Sequence, residues 1–435
     1  MRPHASGPAH KTGALAELVC SNSLRGAALE NAVGLLKEEL ARLDSLIVTS
    51  AREAAVPAGG ALAVDREKFA ALVESRIAAE PRISVRREIV TEIPLDRAVI
   101  VACGPLPPDE FLAGIDACLT RVTLSLSKGD TPRRLHYYDA ASPIVAADSI
   151  DESQMYRKSR YDKGDPSTGS GQADYLNIPL DREQYLQLVH DLRTLERHRP
   201  KEFELDAKAR YFEGCLPIEV MADRGDEVLR FGPLKPVGLR DPRTGRAPYA
   251  VVQLRKENAE GTAFNLVGFQ TQLAWPAQRE AFGKLPGLQN AEWLRLGVMH
   301  RNTFIDSPRL LDGTLKLRGS HALYFAGQIT GAEGYVEAAA CGAMTGIHAA
   351  RAALGHEPVA FPRESALGAV VAHLQNTETH DFQPANVTWS YFPELPDAPR
   401  DKKAKRGLMA ARALDAVDAL AAQLGRRKAL AGTPS

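Results

Sequence analysis

ALYFAGQITGAEGYVEAAACGAMTGIHAA, residues 322–350, decides the fold. ALYFAGQ (322–328) is a short apolar run that reads as a buried strand and closes on a glycine turn. GYVEAAACGAMTGIHAARAA (334–353) follows as a helix rich in small residues. A strand that turns through glycines into a helix start presents free backbone N–H groups and a positive dipole end, which suit a pyrophosphate. Gly327, Gly331 and Gly334 let backbone approach such a ligand closely. Gly342 and Gly346, with the alanines, let the helix lie tight on a sheet. A close-packed strand–helix unit without a ligand accounts for the glycines equally well.

A second stretch favours the ligand. AVIVACGP (98–105) is a continuous apolar run ending at Gly104, as a buried parallel strand entering a tight turn does. The usual dinucleotide fingerprint is absent: no GxGxxG follows an opening strand, and no acidic residue ends a second strand to hold a ribose.

The 435 residues exceed one compact core, so two domains or so are expected. Lys+Arg and Asp+Glu both total 54, so a phosphate-binding surface has to be a local patch. No stretch approaches the run of about 18 apolar residues that spans a membrane, and the N-terminus carries no apolar signal segment. Cytoplasmic location without a membrane partner is expected. The five cysteines, Cys20, Cys103, Cys118, Cys215 and Cys341, are odd in number and widely spaced. They make neither a disulfide framework nor a zinc site, and no metal is expected.

Leu29, Val33, Leu36, Leu40, Leu43 and Ile47 form one apolar stripe, predicting a helix from about Ala27 to Ile47. A second helix is predicted from Arg66 to Ala79, and ISVRREIVTEI (83–93) alternates as a strand does. The middle third is richer in Pro, Gly and charge and mixes short strands (YAVVQL, NLVGF) with loops, as a second domain would. VTLSLSKGDTPRR (122–134) and DPSTGSGQ (165–172) read as insertions, the latter flexible by composition. A tail helix is predicted from about Leu408 to Leu424, preceded by DKKAKR, a solvated appendage or a basic arm.

Longer blocks carry a resemblance. AELVCSNSLR (16–25), VPAGGALAVDR (56–66), KSRYDKG (158–164), YFEGCLPIEVMA (211–222), FGPLKPVGL (231–239), GVMHRNTFIDSP (297–308) and YFAGQITGAEGYVEAAACG (324–342) occur in order. Over residues 1 to about 385 the chain resembles the folate- and FAD-dependent tRNA (uracil-5-)-methyltransferases. The resemblance implies an α/β fold: a Rossmann-type FAD-binding domain, its first βαβ unit absent, interrupted by an α+β insertion domain. The expected parts are 1–105 and 301–385 for the FAD-binding domain, 106–300 for the insertion and 386–435 for a tail. Relatives of this type open with a GxGxxG unit of about 25–30 residues. That unit is not in this sequence, so the reading frame is expected to continue upstream of Met1, and tight FAD binding by the chain as written is in question.

The implied reaction moves a one-carbon unit from 5,10-methylenetetrahydrofolate to C5 of uracil-54 in the tRNA T loop. FADH2, restored by NAD(P)H, supplies the reducing equivalents. A thiolate adding to uracil C6 makes C5 nucleophilic, and a second group then takes the C5 proton. Cys20 in LVCSNS and Cys215 in EGCLP match the two cysteine motifs, with attack assigned to Cys20 and the assignment open to reversal. The other three cysteines read as core residues. The cofactor residues implied are Gly59, Gly60, Asp65, Gly104, Gly327, Gln328, Gly331, Gly334, Tyr335 and Gly342. His300, Arg301 and Asn302 are implied for the folate, a ring to stack and an Arg to pair a carboxylate. RNA contacts are expected from Arg157, Lys158, Arg160 and Lys163 in one loop and Arg240, Arg243 and Arg246 in another, although each cluster taken by itself reads as a solvated loop. No obligate protein partner is expected. Two other readings stand beside this one: a related flavoprotein modifying the tRNA wobble uridine, and a tRNA-binding chain without catalysis.

Overall fold

The computed structural model describes residues 10, 12–104, 106–123, 134–140, 142–160, 175–198, 210–211, 216–257, 261–297, 299–377 and 382–425, with backbone only at 121–123, 134–140, 210–211 and 299–301. Cys215, Lys163, residues 165–172 and most of 122–134 lie outside the described residues.

The first unit opens with β1 (Ser23–Gly26), α1 (Ala32–Arg42) and α2 (Leu46–Glu53). The stripe predicted as one helix is broken between them. Asp44 takes a left-handed φ of 55°, and Ser45 Oγ accepts from the Val48 N–H (3.4 Å), so a new helix is capped there. β2 (Ala55–Val56) and β3 (Ala61–Val64) complete a small antiparallel sheet in the order β1-β3-β2. Asp65 then caps α3 (Arg66–Ala78) by accepting from the Lys68 N–H (3.0 Å).

Residues 83–93 form no strand. Ile83, Val85, Ile89 and Val90 are exposed. Alternation encodes a face, but a strand also needs a partner backbone, and no described segment supplies one. β4 (Val99–Val101) and α4 (Asp109–Thr123) close this half. Leu112, Ile115 and Leu119 of α4 pack into the first core, although its sequence position assigned it to the insertion.

The inserted unit has its own core. Its elements are β5 (Arg134–Ala140), β6 (Ile144–Ala146), β7 (Tyr156–Arg157), β8 (Tyr175–Leu180), α5 (Arg182–Thr194) and β9 (Arg210–Tyr211). There follow α6 (Ile218–Asp223), α7 (Val228–Phe231), β10 (Ala250–Lys256), β11 (Ala263–Leu266), α8 (Trp275–Gly283) and β12 (Trp293–Arg295). Six strands form an antiparallel sheet in the order β12-β6-β11-β10-β8-β7. One face, with Ile178, Val252 and Leu254, packs on Leu188, Phe269 and Phe282. The other carries Asn177, Gln253, Arg255 and Asn265, as the two-residue strand period requires.

The chain returns through β13 (Met299–Ile305), antiparallel to β5, and α9 (Ser307–Leu310). β14 (Leu323–Phe325) then lies parallel to β4, with Leu323 opposite Val99, and leads into α10 (Tyr335–Ala353). α11 (Ala366–Leu374) and α12 (Lys402–Gln423) follow. α12 starts ahead of the predicted Leu408 because Asp401 caps it at the Ala404 N–H (2.8 Å). Met409, Ala413 and Val417 bury against the first core, and α12 packs on α1, so this helix is part of the domain.

Glu39 ties α1 to α11. Its buried carboxylate accepts from the Ala366 (2.7 Å) and Leu367 (2.9 Å) N–H groups, two of the donors that a helix start leaves unpaired. Burial pushes Glu39 up to about 8. A carboxyl raised in the folded state stabilises at low pH, and that contribution falls as pH climbs from the unfolded value of about 4.3 through 8. Glu39→Ala is expected to cost about 1–3 kcal/mol in urea unfolding at pH 6 and measurably less at pH 8.

Candidate functional site

The glycine turn of 327–334 is built by β14 and α10. Gly334 caps α10 with φ 108°, and a Cβ there would sit 2.6 Å from Glu337 Oε2. At Gly331, φ 87°, a Cβ would meet the Phe382 ring at 2.6 Å. Both positions therefore demand glycine. The Ala326 N–H donates to Val101 O (2.9 Å), which sets Gly104 and Gly327 side by side beyond the carboxyl ends of two parallel strands. That is where open α/β sheets take ligands. Gln328 turns inward to donate to Glu333.

A cleft of about 760 Å³ runs along the small-residue face of α10. Ala338, Gly342 and Gly346 line one wall, and Leu18, Ser45 and Phe69 face them, with Tyr335 and Ala102 at the edge. A Cβ at Gly104 or Gly342 would meet nothing within 4 Å, so these glycines leave open space for a ligand. Gly59 and Gly60 form the β2–β3 turn and receive the Ala27 N–H on Gly60 O (2.9 Å).

Arg25 pairs with buried Glu337, which also accepts from the Val387 N–H (2.9 Å). Lys37 is buried beneath, donating to Leu24 O and Gly26 O (2.8 Å each), and burial pulls it down to about 7. Together they hold β1 against the start of α10.

Cys20 lies three residues before β1, where the two units meet. Its backbone N–H donates to Tyr335 Oη (2.8 Å) and its carbonyl accepts from Arg66 Nη2 (2.8 Å). Arg66 also binds Leu18 O, and its Nε pairs with Glu257 Oε2 (2.5 Å). From the inserted sheet, Arg255 donates to Ser21 Oγ (2.7 Å) and Asn22 Oδ1 (3.1 Å), and Arg295 to Val19 O (2.5 Å). Buried Asn22 spans both units, donating to Val64 O (3.0 Å) and to Lys256 O (3.0 Å). Three guanidinium groups thus converge on the segment that carries Cys20. Cys103 and Cys341 are pushed up to about 12 by burial, as inert core thiols are.

The folate candidates lie on β13, where His300 pairs with Asp139, Arg301 with Tyr138 and Asn302 with Tyr137 of β5. β13 packs against the Gly327–Thr330 turn, and Asn302 is buried. The side chains of His300 and Arg301 are outside what is described.

The two arginine clusters meet on the inserted unit, because Arg243 donates to Ser153 O (2.8 Å) and ion-pairs with Asp241 (2.8 Å). Arg157 pairs with Glu152 (2.7 Å), and Arg240 donates to Gly245 O (3.3 Å). Arg160 binds Lys235 O (3.0 Å) and Gln253 Oε1 (3.1 Å). Lys158 is half-buried beside them, and Arg246 is exposed at the turn. The sequence reading did not single out Arg66, Arg255, Glu257 or Arg295. Charged residues ending otherwise apolar runs, as in YAVVQLR, were the available signal. Among the described residues no cluster of His, Cys, Asp and Glu suits a metal ion, and no helix is long and apolar enough to cross a membrane.

The sequence profile of the family described as "Glucose inhibited division protein A" matches residues 5–357. The chain is 53% identical over 423 residues to methylenetetrahydrofolate–tRNA-(uracil-5-)-methyltransferase TrmFO of Heliobacterium modesticaldum, covering 97% of this chain and 92% of that protein. It is 52% identical to the protein of the same name from Geobacter sulfurreducens, covering 96% and 91%. Aquifex aeolicus GidA shares the fold, with a TM-score of 0.66 at 16% identity over 94% of this chain and 67% of that one.

Asn22→Ala removes three polar contacts between the two units, to Lys256 O, Glu257 O and Arg255, and a fourth within the first unit, to Val64 O. The variant is expected to lose about 2–4 kcal/mol in urea unfolding, with an earlier, less cooperative transition.

Proposed function

This chain belongs to the methylenetetrahydrofolate–tRNA-(uracil-5-)-methyltransferase family, and from that premise we propose that it forms 5-methyluridine at position 54 of the tRNA T loop. The one-carbon unit comes from 5,10-methylenetetrahydrofolate. The observation that supports the reading is the Cys20 segment, clasped by three arginines and tied through its backbone to Tyr335 at the start of α10.

The site fits FAD: paired strand ends at Gly104 and Gly327, a glycine-capped helix start at Gly334, and a long cleft along Gly342. When bound, FAD supplies the reducing equivalents, which NAD(P)H restores. Gly104, Gly327, Gly331 and Gly334 would hold it through backbone, and Tyr335 anchors the Cys20 segment beside it.

The Cys20 thiolate adds to uracil C6, moving the ring electrons onto O4 and C5. C5 then attacks the methylene carbon of the folate. Cys215 takes the C5 proton, the methylene–nitrogen bond breaks to release tetrahydrofolate, and two electrons and a proton, the reducing equivalents that bound FADH2 would supply, turn the exocyclic methylene into the methyl group as the bond from sulfur to C6 breaks, restoring the aromatic base and the free thiolate. Target uracil is buried in the tRNA elbow and has to be extruded to reach Cys20. Arg157, Lys158, Arg160, Lys163, Arg240, Arg243 and Arg246 form the candidate phosphate-facing surface, and His300, Arg301 and Asn302 the candidate folate contacts.

The test begins with FAD incubation, desalting and a visible spectrum, which is expected to retain flavin. Methylenetetrahydrofolate, NADPH and a tRNA transcript are then added and nucleosides are analysed by mass spectrometry. 5-Methyluridine is expected on the normal transcript and absent from one carrying C54, and Cys20→Ser and Cys215→Ser are each expected to lower the rate at least about a hundredfold. Modification at the wobble base, or flavin retained without methyl transfer, would overturn the assignment.

A further inference from the structure

Five residues, Leu18 to Asn22, carry Cys20, and their hydrogen-bonding groups are divided between two units. Arg66, from the first turn of α3, holds the carbonyls of Leu18 and Cys20. Arg295, from β12, holds the carbonyl of Val19. Arg255, from β10, holds the side chains of Ser21 and Asn22. Two of the three clasps come from the inserted sheet, so the segment has this geometry only while that sheet is seated against the first unit.

The charge balance is uneven. Arg255 is 7% exposed, and the carboxylate of Glu257 is the acid that faces this cluster from β10. Only one of its oxygens is engaged; Oε1 is buried without a hydrogen-bond partner. Burial raises Tyr335 of α10 and keeps it neutral, and Tyr175 of β8 donates its hydroxyl to Ala58 O (3.1 Å). Glu17, one residue before the segment, accepts from the Thr12 N–H (3.2 Å). Among the described residues, the three cations are set against the Glu257 carboxylate. Burial pulls Arg255 and Arg295 below the usual guanidinium range, which marks a real cost of keeping them charged there. An anion at the Cys20 sulfur lowers that cost, and the charge of Cys20 acts on all three arginines.

We propose that Arg255 and Arg295 of the inserted sheet, with Arg66, are positioning residues that orient Cys20 and hold it as a thiolate when the two units are joined. This rests on the reading of Cys20 as the reactive thiol. It goes further in making the reactivity of a residue in the flavin-binding unit depend on side chains of the inserted one.

Alkylation of the full-length protein by iodoacetamide between pH 5 and 9 tests it, with the Cys20 peptide followed by mass spectrometry. No tRNA, folate or reductant is present, so the result is independent of methyl transfer. Wild-type Cys20 is expected to react with a midpoint below the free-cysteine value of about 8.5. Arg255→Met and Arg295→Met are each expected to raise the midpoint by about one unit and slow alkylation about tenfold at pH 6.5, and Arg255→Lys and Arg295→Lys to recover most of the shift. A role confined to packing would change the high-pH plateau through access to the thiol while leaving the midpoint in place. Circular dichroism establishes which variants fold; should Arg255→Met fail to do so, Arg295→Met decides. A wild-type midpoint at the free-cysteine value, or unmoved midpoints in the folded Met variants, would overturn the proposal. A shifted midpoint in an enzyme that transfers no methyl group would keep the clasp and remove the functional reading.

Discussion

Arg66 stands at the first helical position of α3 and distributes its guanidinium over three partners: the carbonyls of Leu18 and Cys20 and the carboxylate of Glu257. The carbonyls belong to the segment that enters β1, and the carboxylate to the end of the central strand of the inserted sheet. A planar cation with a fixed fork of donors is suited to such a junction, because its donors lie in one plane and lose little freedom when several bind at once. The pairing with Glu257 has a second consequence. A buried cation without a partner is costly, so seating the inserted sheet stabilises Arg66, and Arg66 in turn fixes the Cys20 segment.

The rest of the molecule can be understood as support for that junction. α10 is short of bulky side chains along one face, which leaves a cleft instead of a filled helix–helix contact, and its start is fixed by glycines that no other residue replaces. Tyr335, the first residue of that helix, accepts the Cys20 backbone N–H on its hydroxyl, which ties the Cys20 segment to the helix that follows the glycine turn. Behind it, buried Glu337 and Lys37 and half-buried Arg25 form a polar group with every charge directed at a partner. Glu39 serves the same purpose two residues further along α1, where its carboxyl group closes the start of α11. Buried polar groups of this kind stabilise only when satisfied, and their satisfaction specifies one arrangement of the surrounding helices.

Periodicity read correctly where the burial is one-sided and local. The strand at 322–328, the helix after Gly334 and the helix after Asp65 were all legible, since their apolar spacing and their caps lie within a few residues of one another. It failed where the outcome depended on distant chain. The stripe from Leu29 to Ile47 is continuous, yet Ser45 offers a better cap than a helix interior, and the axis turns at Asp44. Residues 83–93 alternate but find no partner strand, and α4 falls outside the inserted unit because its apolar face matches the first core.

By itself the sequence determined the α/β character, the glycine turn of a dinucleotide site, and the two cysteine motifs, because each is written in consecutive residues whose backbone or reactivity is local. It left the surroundings of Cys20 unread. Arg66, Arg255, Glu257 and Arg295 are separated from Cys20 by 46 to 275 residues, and in sequence they are ordinary charged residues at the ends of strands and helices. Only the tertiary structure decided that they converge, because a guanidinium group reaches a few ångströms and its partner is chosen by how two separately folded cores are brought together.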